Sequence, residues 1–163
     1  MPTKISPCLW FDDQAEEAAR FYTGIFKNSK ITAISRYPDS GQEIHGKPAG
    51  SVLTVEFELN GQSFTALNGG PHFKFNEAVS FQIECKTQEE LDDYWEKLNQ
   101  GGVPEAQQCG WLKDQFGLSW QVIPEGMAEM LNDPDPAKSR RAFQAMMGMK
   151  KLDIAELQRA FAG

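Results

Sequence analysis

A chain of 163 residues is long enough for one domain with a real core and short for two independent ones. Hydrophobic residues make up 40% of it and charged residues 24%, a globular balance that leaves no room for a long disordered tract. The net charge of −7, with no cluster of Lys and Arg interleaved with aromatics, disfavours nucleic acid and anionic membranes as partners. No apolar run reaches the length of a bilayer span. The opening MPTKISPCLWFDD has too short an apolar region, followed at once by acids, for a signal peptide, so a cytoplasmic location is expected. Cys8, Cys85 and Cys109 are odd in number and lack CxxC spacing, which predicts reduced, mostly buried thiols.

Residues 5–11 alternate as a strand, and Asp13-Gln-Ala-Glu16 then supplies an acidic cap with a Glu three residues on. Ala15, Ala18, Ala19, Tyr22 and Phe26 recur at three- and four-residue intervals, the stripe of a helix packed on a sheet. Residues 31–37 read as a second strand and 38–50 as a polar loop dense in turn formers. SVLTVEFEL alternates Leu53, Val55, Phe57 and Leu59 against Thr54, Glu56 and Glu58, which predicts a strand with one polar face. Asn60-Gly61 signals a tight hairpin, since both central positions of a type I′ turn need positive φ, and residues 62–67 return as its partner. The order so far is βαβββ.

LNGGPHFKF, residues 67–75, closes this block, and the order restarts after it. Residues 79–85 alternate, Thr87-Gln-Glu-Glu90 matches a capping box, and Leu91, Tyr94, Trp95 and Leu98 form an apolar helical stripe ended by Gly101-Gly102. Strands are expected near residues 104–111 and over 118–123, which makes the second block βαβββ-like. EEAARFY aligns with EELDDYW, and NGQSFTAL with FGLSWQVI, so the halves agree in element order. From Glu125 onward the pattern is helical, with Met127, Met130 and Leu131, then Phe143, Met146 and Met147 behind Asp135-Pro136, then Ile154, Leu157 and Phe161 behind Asp153. A Met stripe at that spacing reads as packing or a subunit contact.

Two βαβββ modules carrying AEEAARFY, FTALNGGPHFKF, SFQIECKTQEELDDYWEKL and CGWLKDQFGLSWQVIP in that order resemble the vicinal oxygen chelate superfamily, which includes glyoxalase I, bleomycin-binding resistance proteins and extradiol dioxygenases. Within it the chain resembles the PhnB-like branch labelled 3-demethylubiquinone-9 3-methyltransferase, over residues 4–163. The resemblance implies an α+β, glyoxalase-like fold: two βαβββ modules forming a cupped mixed sheet, plus C-terminal helices. It implies one domain over 1–163, with module one at 4–69, module two at 78–124 and a helical tail at 125–163. It also implies a small-molecule cavity, often completed by a second subunit, so a homodimer is expected.

Metal enzymes of this superfamily take His, Glu or Gln ligands from the first and last strands of each module. The resemblance carries those positions to Ser6, Thr65, Ser80 and Gln121, and a slide of two residues offers Cys8, Gln82 and Glu84 instead. Neither set holds a histidine, and hydroxyls and an amide are poor donors to a divalent transition metal, so no metal and no cofactor are expected. The methyltransferase label finds no Gly-rich turn between a strand and a helix, since NQGGVP follows a helix.

Strand parity assigns the candidate ligand-binding residues to one face. Cys8 and Trp10 share it in module one with Thr65; Ser80, Gln82 and Gln121 share it in module two. Asn68 and His72 are expected at its rim, with His72 as candidate general base and Phe73 and Phe75 as apolar walls. Alternatively Gly69-Gly70-Pro71 is only a turn between modules, and the polar residues only hydrogen-bond one another or water. The expected function is a metal-free protein that binds a small organic molecule. The alternatives are a metal-dependent isomerase, lyase or dioxygenase, or a protein-association role for the C-terminal helices.

Overall fold

The computed structural model describes residues 2–163, and the chain divides into two compact units, Met1–Lys74 and Phe75–Gly163. The first unit runs β1 (Cys8–Phe11), α1 (Ala15–Ile25), β2 (Lys30–Arg36), α2 (Gln42–His45), β3 (Val52–Leu59) and β4 (Gln62–Asn68). Its sheet has the order β1-β4-β3-β2, with β1 parallel to β4 and the other pairs antiparallel. Asn60 and Gly61 take φ of 49° and 83° at the β3–β4 hairpin, the two left-handed positions anticipated from Asn-Gly.

Helix α1 lies across β3 and β4 and buries Ala15, Ala18, Ala19 and Tyr22. Beneath it are Leu9, Phe11, Val55, Phe57, Phe64 and Ala66, and the rings of Tyr22, Phe57 and Phe64 stack in series with centroids 6.2 and 5.3 Å apart. The helix opens without the local cap that Asp13 promised. Its cap residue is Gln14, whose side chain makes no capping bond, and the Ala15 N–H donates instead to Asn68 Oδ1, 2.8 Å away at the end of β4. A side chain 53 residues distant thus satisfies one of the helix's free amides.

The second unit runs β5 (Ser80–Cys85), α3 (Gln88–Leu98), a 3₁₀ turn at Pro104–Ala106, β6 (Trp111–Lys113), β7 (Ser119–Pro124), α4 (Met127–Leu131), α5 (Pro136–Met147) and α6 (Ile154–Ala162). Its sheet has three strands in the order β5-β7-β6, with β5 parallel to β7. The α+β class and a mixed sheet in each half therefore hold, but the strand expected near 104–111 does not form as one piece. Pro104, without an N–H for a ladder, opens the 3₁₀ turn, and only a single bridge, Gln108 to Trp111, precedes β6. Thr87 caps α3 as expected: its hydroxyl accepts from the Glu90 N–H at 3.1 Å, while Glu90 Oε2 reaches one residue before the cap and accepts from the Lys86 N–H at 2.9 Å.

The tail helices belong to this unit's core. Leu152 is fully buried between α5 and α6, and the linker around it is fastened by backbone bonds from Cys109 N–H to Met149 O (2.7 Å) and Gly110 N–H to Lys150 O (2.8 Å). Gln88, in the first turn of α3, accepts from the Ile154 N–H and donates to Leu152 O. Among the described residues, no helix is long and apolar enough to cross a membrane.

Candidate functional site

Each sheet has one face under its own helix and one face left open. In the first unit, register sets Cys8, Thr65, Glu56 and Ala33 in one row across four strands, and Trp10, Leu67, Thr54 and Ser35 in the next. These point away from α1, because Leu9, Phe11, Ala66, Phe57 and Phe64 occupy the alternate positions and are buried. Cys8, Trp10 and Thr65 are brought together on the open face, as parity predicts. Cys8 is exposed, and partial burial raises its thiol above the ordinary range, so it is mostly protonated near neutral pH.

Trp10 is held in one orientation. Its indole Nε1–H donates to Gly70 O at 2.9 Å, and its ring meets Phe73 edge-on at a centroid distance of 4.9 Å. Gly69 lies so close to the six-membered ring that a Cβ there would overlap Cε2, Cζ2 and Cη2, and Gly70 takes φ of 97°. The two glycines of LNGGPHFKF thus seat the indole as well as turning the chain. His72 is exposed in the same turn, outside any strand, with its ring centroid 6.5 Å from that of Phe73.

Asn68 lies elsewhere, which corrects its expected place at the rim. Parity puts it one step past Leu67, on the helix side, where it is 6% exposed and fully committed. Its Oδ1 accepts from Ala15 N–H, its Nδ2 donates to Val52 O at 3.1 Å, and its backbone carbonyl accepts from the Tyr37 hydroxyl at 2.5 Å. It forms part of the wall of a hollow of about 360 Å³ at the start of α1, with Asp13, Glu16, Lys47, Ser51 and Val52.

In the second unit, register places Ser80, Gln82 and Glu84 of β5 beside Ser119, Gln121 and Ile123 of β7, with Trp111 and Lys113 of β6 beyond. Ser80, Gln82 and Gln121 therefore share the open face, while Trp120, Val122, Leu112 and Cys85 are buried on the other. Gln121 Nε2 donates to Ser80 Oγ at 2.9 Å, and the Lys113 ammonium pairs with Glu77, whose carboxyl it holds below the ordinary range. Cys85 is inert by position: burial, then the Glu90 charge, push its thiol up to about 12. Burial also raises Cys109.

Asp114 stands out as a buried carboxylate to whose side chain sequence reading gave no role. It is 1% exposed; Oδ1 accepts from the Phe116 and Leu118 N–H groups and Oδ2 from Trp120 Nε1–H at 2.9 Å. The signal was the turn itself: an Asp two residues before Phe116-Gly117 bonds its own backbone and closes the β6–β7 connection. Glu56 was legible only as part of a polar face, although its alternation with Val55 and Phe57 already marked it as a residue of the open side.

The donor set of neither unit suits a transition-metal ion. Thr65, Ser80 and Gln121 carry hydroxyls and an amide, Gln121 is turned onto Ser80, and among the described residues no three His, Cys, Asp or Glu side chains gather closely enough to hold an ion.

The profile of the 3-demethylubiquinone-9 3-methyltransferase family matches residues 3–123. The chain belongs to that family. It is the PhnB-like branch of the vicinal oxygen chelate superfamily that the motifs resembled. The PhnB protein from Bacillus cereus is 37% identical, over 74% of this chain and 99% of that one, with a TM-score of 0.62. Protein PA1353 from Pseudomonas aeruginosa is 20% identical over 76% of this chain and 98% of that one, with a TM-score of 0.59, and speaks for the fold alone. The comparison with curated proteins gives no match. The family profile ends within β7, so the motif resemblance, read as running to Gly163, stops short of the three tail helices.

Proposed function

We propose that this family member is a metal-free binder of a small organic molecule, held against the open sheet face of the first unit. The observation that carries the reading is the seated indole of Trp10 beside the exposed Cys8 and Thr65: a rigid aromatic wall with a few polar groups around it suits a small amphipathic ligand. Ser80, Gln82 and Gln121 give the second unit a polar open face of the same kind, already partly closed by the Gln121–Ser80 bond. His72, exposed beside Phe73, is the group this reading assigns to orient a polar substituent or to move a proton. The family's methyltransferase name has no counterpart in a Gly-rich strand-to-helix turn of this sequence. A homodimer in the cytoplasm completes the proposal.

A thermal-shift screen of metabolites and divalent metals tests it. A true ligand at about one hundred times its dissociation constant stabilises the fold by about 2.7 kcal/mol. Elemental analysis of protein purified without chelator supplies the opposing outcome: stoichiometric zinc, iron, nickel or manganese overturns the metal-free reading in favour of a metal-dependent isomerase, lyase or dioxygenase.

A further inference from the structure

Glu56 sits on β3, in the interior of the first unit's sheet, and its side chain is on the open face in the same row as Thr65 and Cys8. Among the described residues it enters no salt bridge. The cations nearest in register lie outside its row. Lys30 stands opposite Glu58, one row further, and Arg36 donates to Gly50 O from the other side of a bulge. Its lateral neighbours, Thr65 and Ala33, carry no charge. An acid on an inner strand, without a counter-charge in its row, leaves a local negative potential over the face.

Trp10 lies one row along and two strands across, about 12 Å from Glu56 at Cα by ordinary sheet spacing, with Leu67 and Thr65 between and its indole leaning over Gly69 and Gly70, on the side away from Glu56. The indole ring carries negative charge on its π face and is immobilised by Gly69, Gly70 and Phe73. From Trp10 to Glu56 the surface therefore runs from flat and apolar, through a hydroxyl, to a carboxylate. A complementary ligand carries an aromatic ring at one end and a cation at the other.

We infer that the open face of the first unit selects protonated amines bearing an aromatic or flat apolar group, with Glu56 as the counter-ion and Trp10–Leu67 as the apolar platform. This rests on the small-molecule reading above and adds the ligand's charge to it. Three probes with one carbon skeleton separate the two ideas: 4-phenylbutylamine, 4-phenylbutyrate and 4-phenylbutanol, each titrated into the full chain and followed by amide and indole NMR shifts and by calorimetry.

The amine is expected to bind at least about tenfold more tightly than the carboxylate, shifting the Trp10 indole N–H and the amides of β3 and β4. Glu56→Gln removes that preference, while Glu58→Gln leaves it in place. Glu56 has no hydrogen-bond or ion-pair partner among the described residues to lose, so the Gln variant keeps its fold, which its unchanged shifts elsewhere verify. Equal affinity for all three probes, or shifts mapping away from this face, overturns the charge inference and leaves the small-molecule reading intact. A preference for the carboxylate, or one that survives Glu56→Gln, overturns it equally. Binding by none of the three at millimolar concentration also overturns it, and the thermal-shift screen then decides the broader reading by itself.

Discussion

A Cβ on residue 69 would enter the six-membered ring of Trp10, and that ring cannot step aside without giving up its bond to Gly70 O. The pair is coupled in both directions: the glycine exists in that form because of the indole, and the indole is flat against the chain because of the glycine. Gly69→Ala should destabilise the chain by about 1–3 kcal/mol, the range for forcing volume into a packed site. Adding Trp10→Ala relieves the overlap, so the double variant should be more stable than the two single losses predict, by about 1 kcal/mol in a urea-denaturation cycle. A Gly69→Ala chain as stable as the parent would mean that the indole is free to move, and the rigid platform proposed for ligand binding would go with it. Asn68 illustrates the opposite case, a polar side chain that reads as a ligand contact in sequence but is consumed by Ala15, Val52 and Tyr37.

Between elements, α3 and the α5–α6 linker meet through two side chains one turn apart. Gln88 bonds Leu152 O, the Ile154 N–H and Asp92, and Asp92 in turn holds the Lys151 ammonium at 2.9 Å. The Gln88 bond first, then Lys151, hold the Asp92 carboxyl below the ordinary aspartate range. A carboxyl lowered on folding stabilises the folded chain above its unfolded pKa, and that contribution is lost as pH falls through the folded value. Both charged partners are more than a third exposed, so the stabilisation is small and screened by salt. Carboxyl NMR should find Asp92 titrating below the ordinary aspartate range, and rising toward it in both Gln88→Ala and Lys151→Ala. An unchanged titration in Gln88→Ala would make the ion pair with Lys151, and not the amide, the principal tie.

For the molecule as a whole, the family profile and the second unit's core do not share a boundary. The profile stops at residue 123, yet Leu152 and Leu157 beyond it are buried, and the linker bonds Cys109 and Gly110 just before β6. Gly110 takes φ of 87°, and a Cβ there would press on Leu152 and on Val122 O, so the glycine leaves room for the tail's leucine. Leu152→Ala should therefore cost about 2–5 kcal/mol in chemical denaturation, the range for a buried leucine. A loss below about 0.5 kcal/mol, typical of surface changes, would make the tail an appendage.

Periodicity with local turn and capping signals determined most of the element order, the buried and open sides of β1, β3, β5 and β7, the Asn60-Gly61 hairpin and the caps at Thr87, Asp135 and Asp153, because each depends on residues within a few positions of one another. The motifs also carried the family. What required the folded chain was every feature joining distant segments: the cap that Asn68 gives α1, the seating of Trp10 on Gly69, the 3₁₀ turn at Pro104 where a strand was expected, and the docking of the tail on Gly110. Hydrogen-bond partners and close contacts at such separations depend on which surfaces meet, and a side chain's parity along its own strand says which way it faces without saying what it finds there.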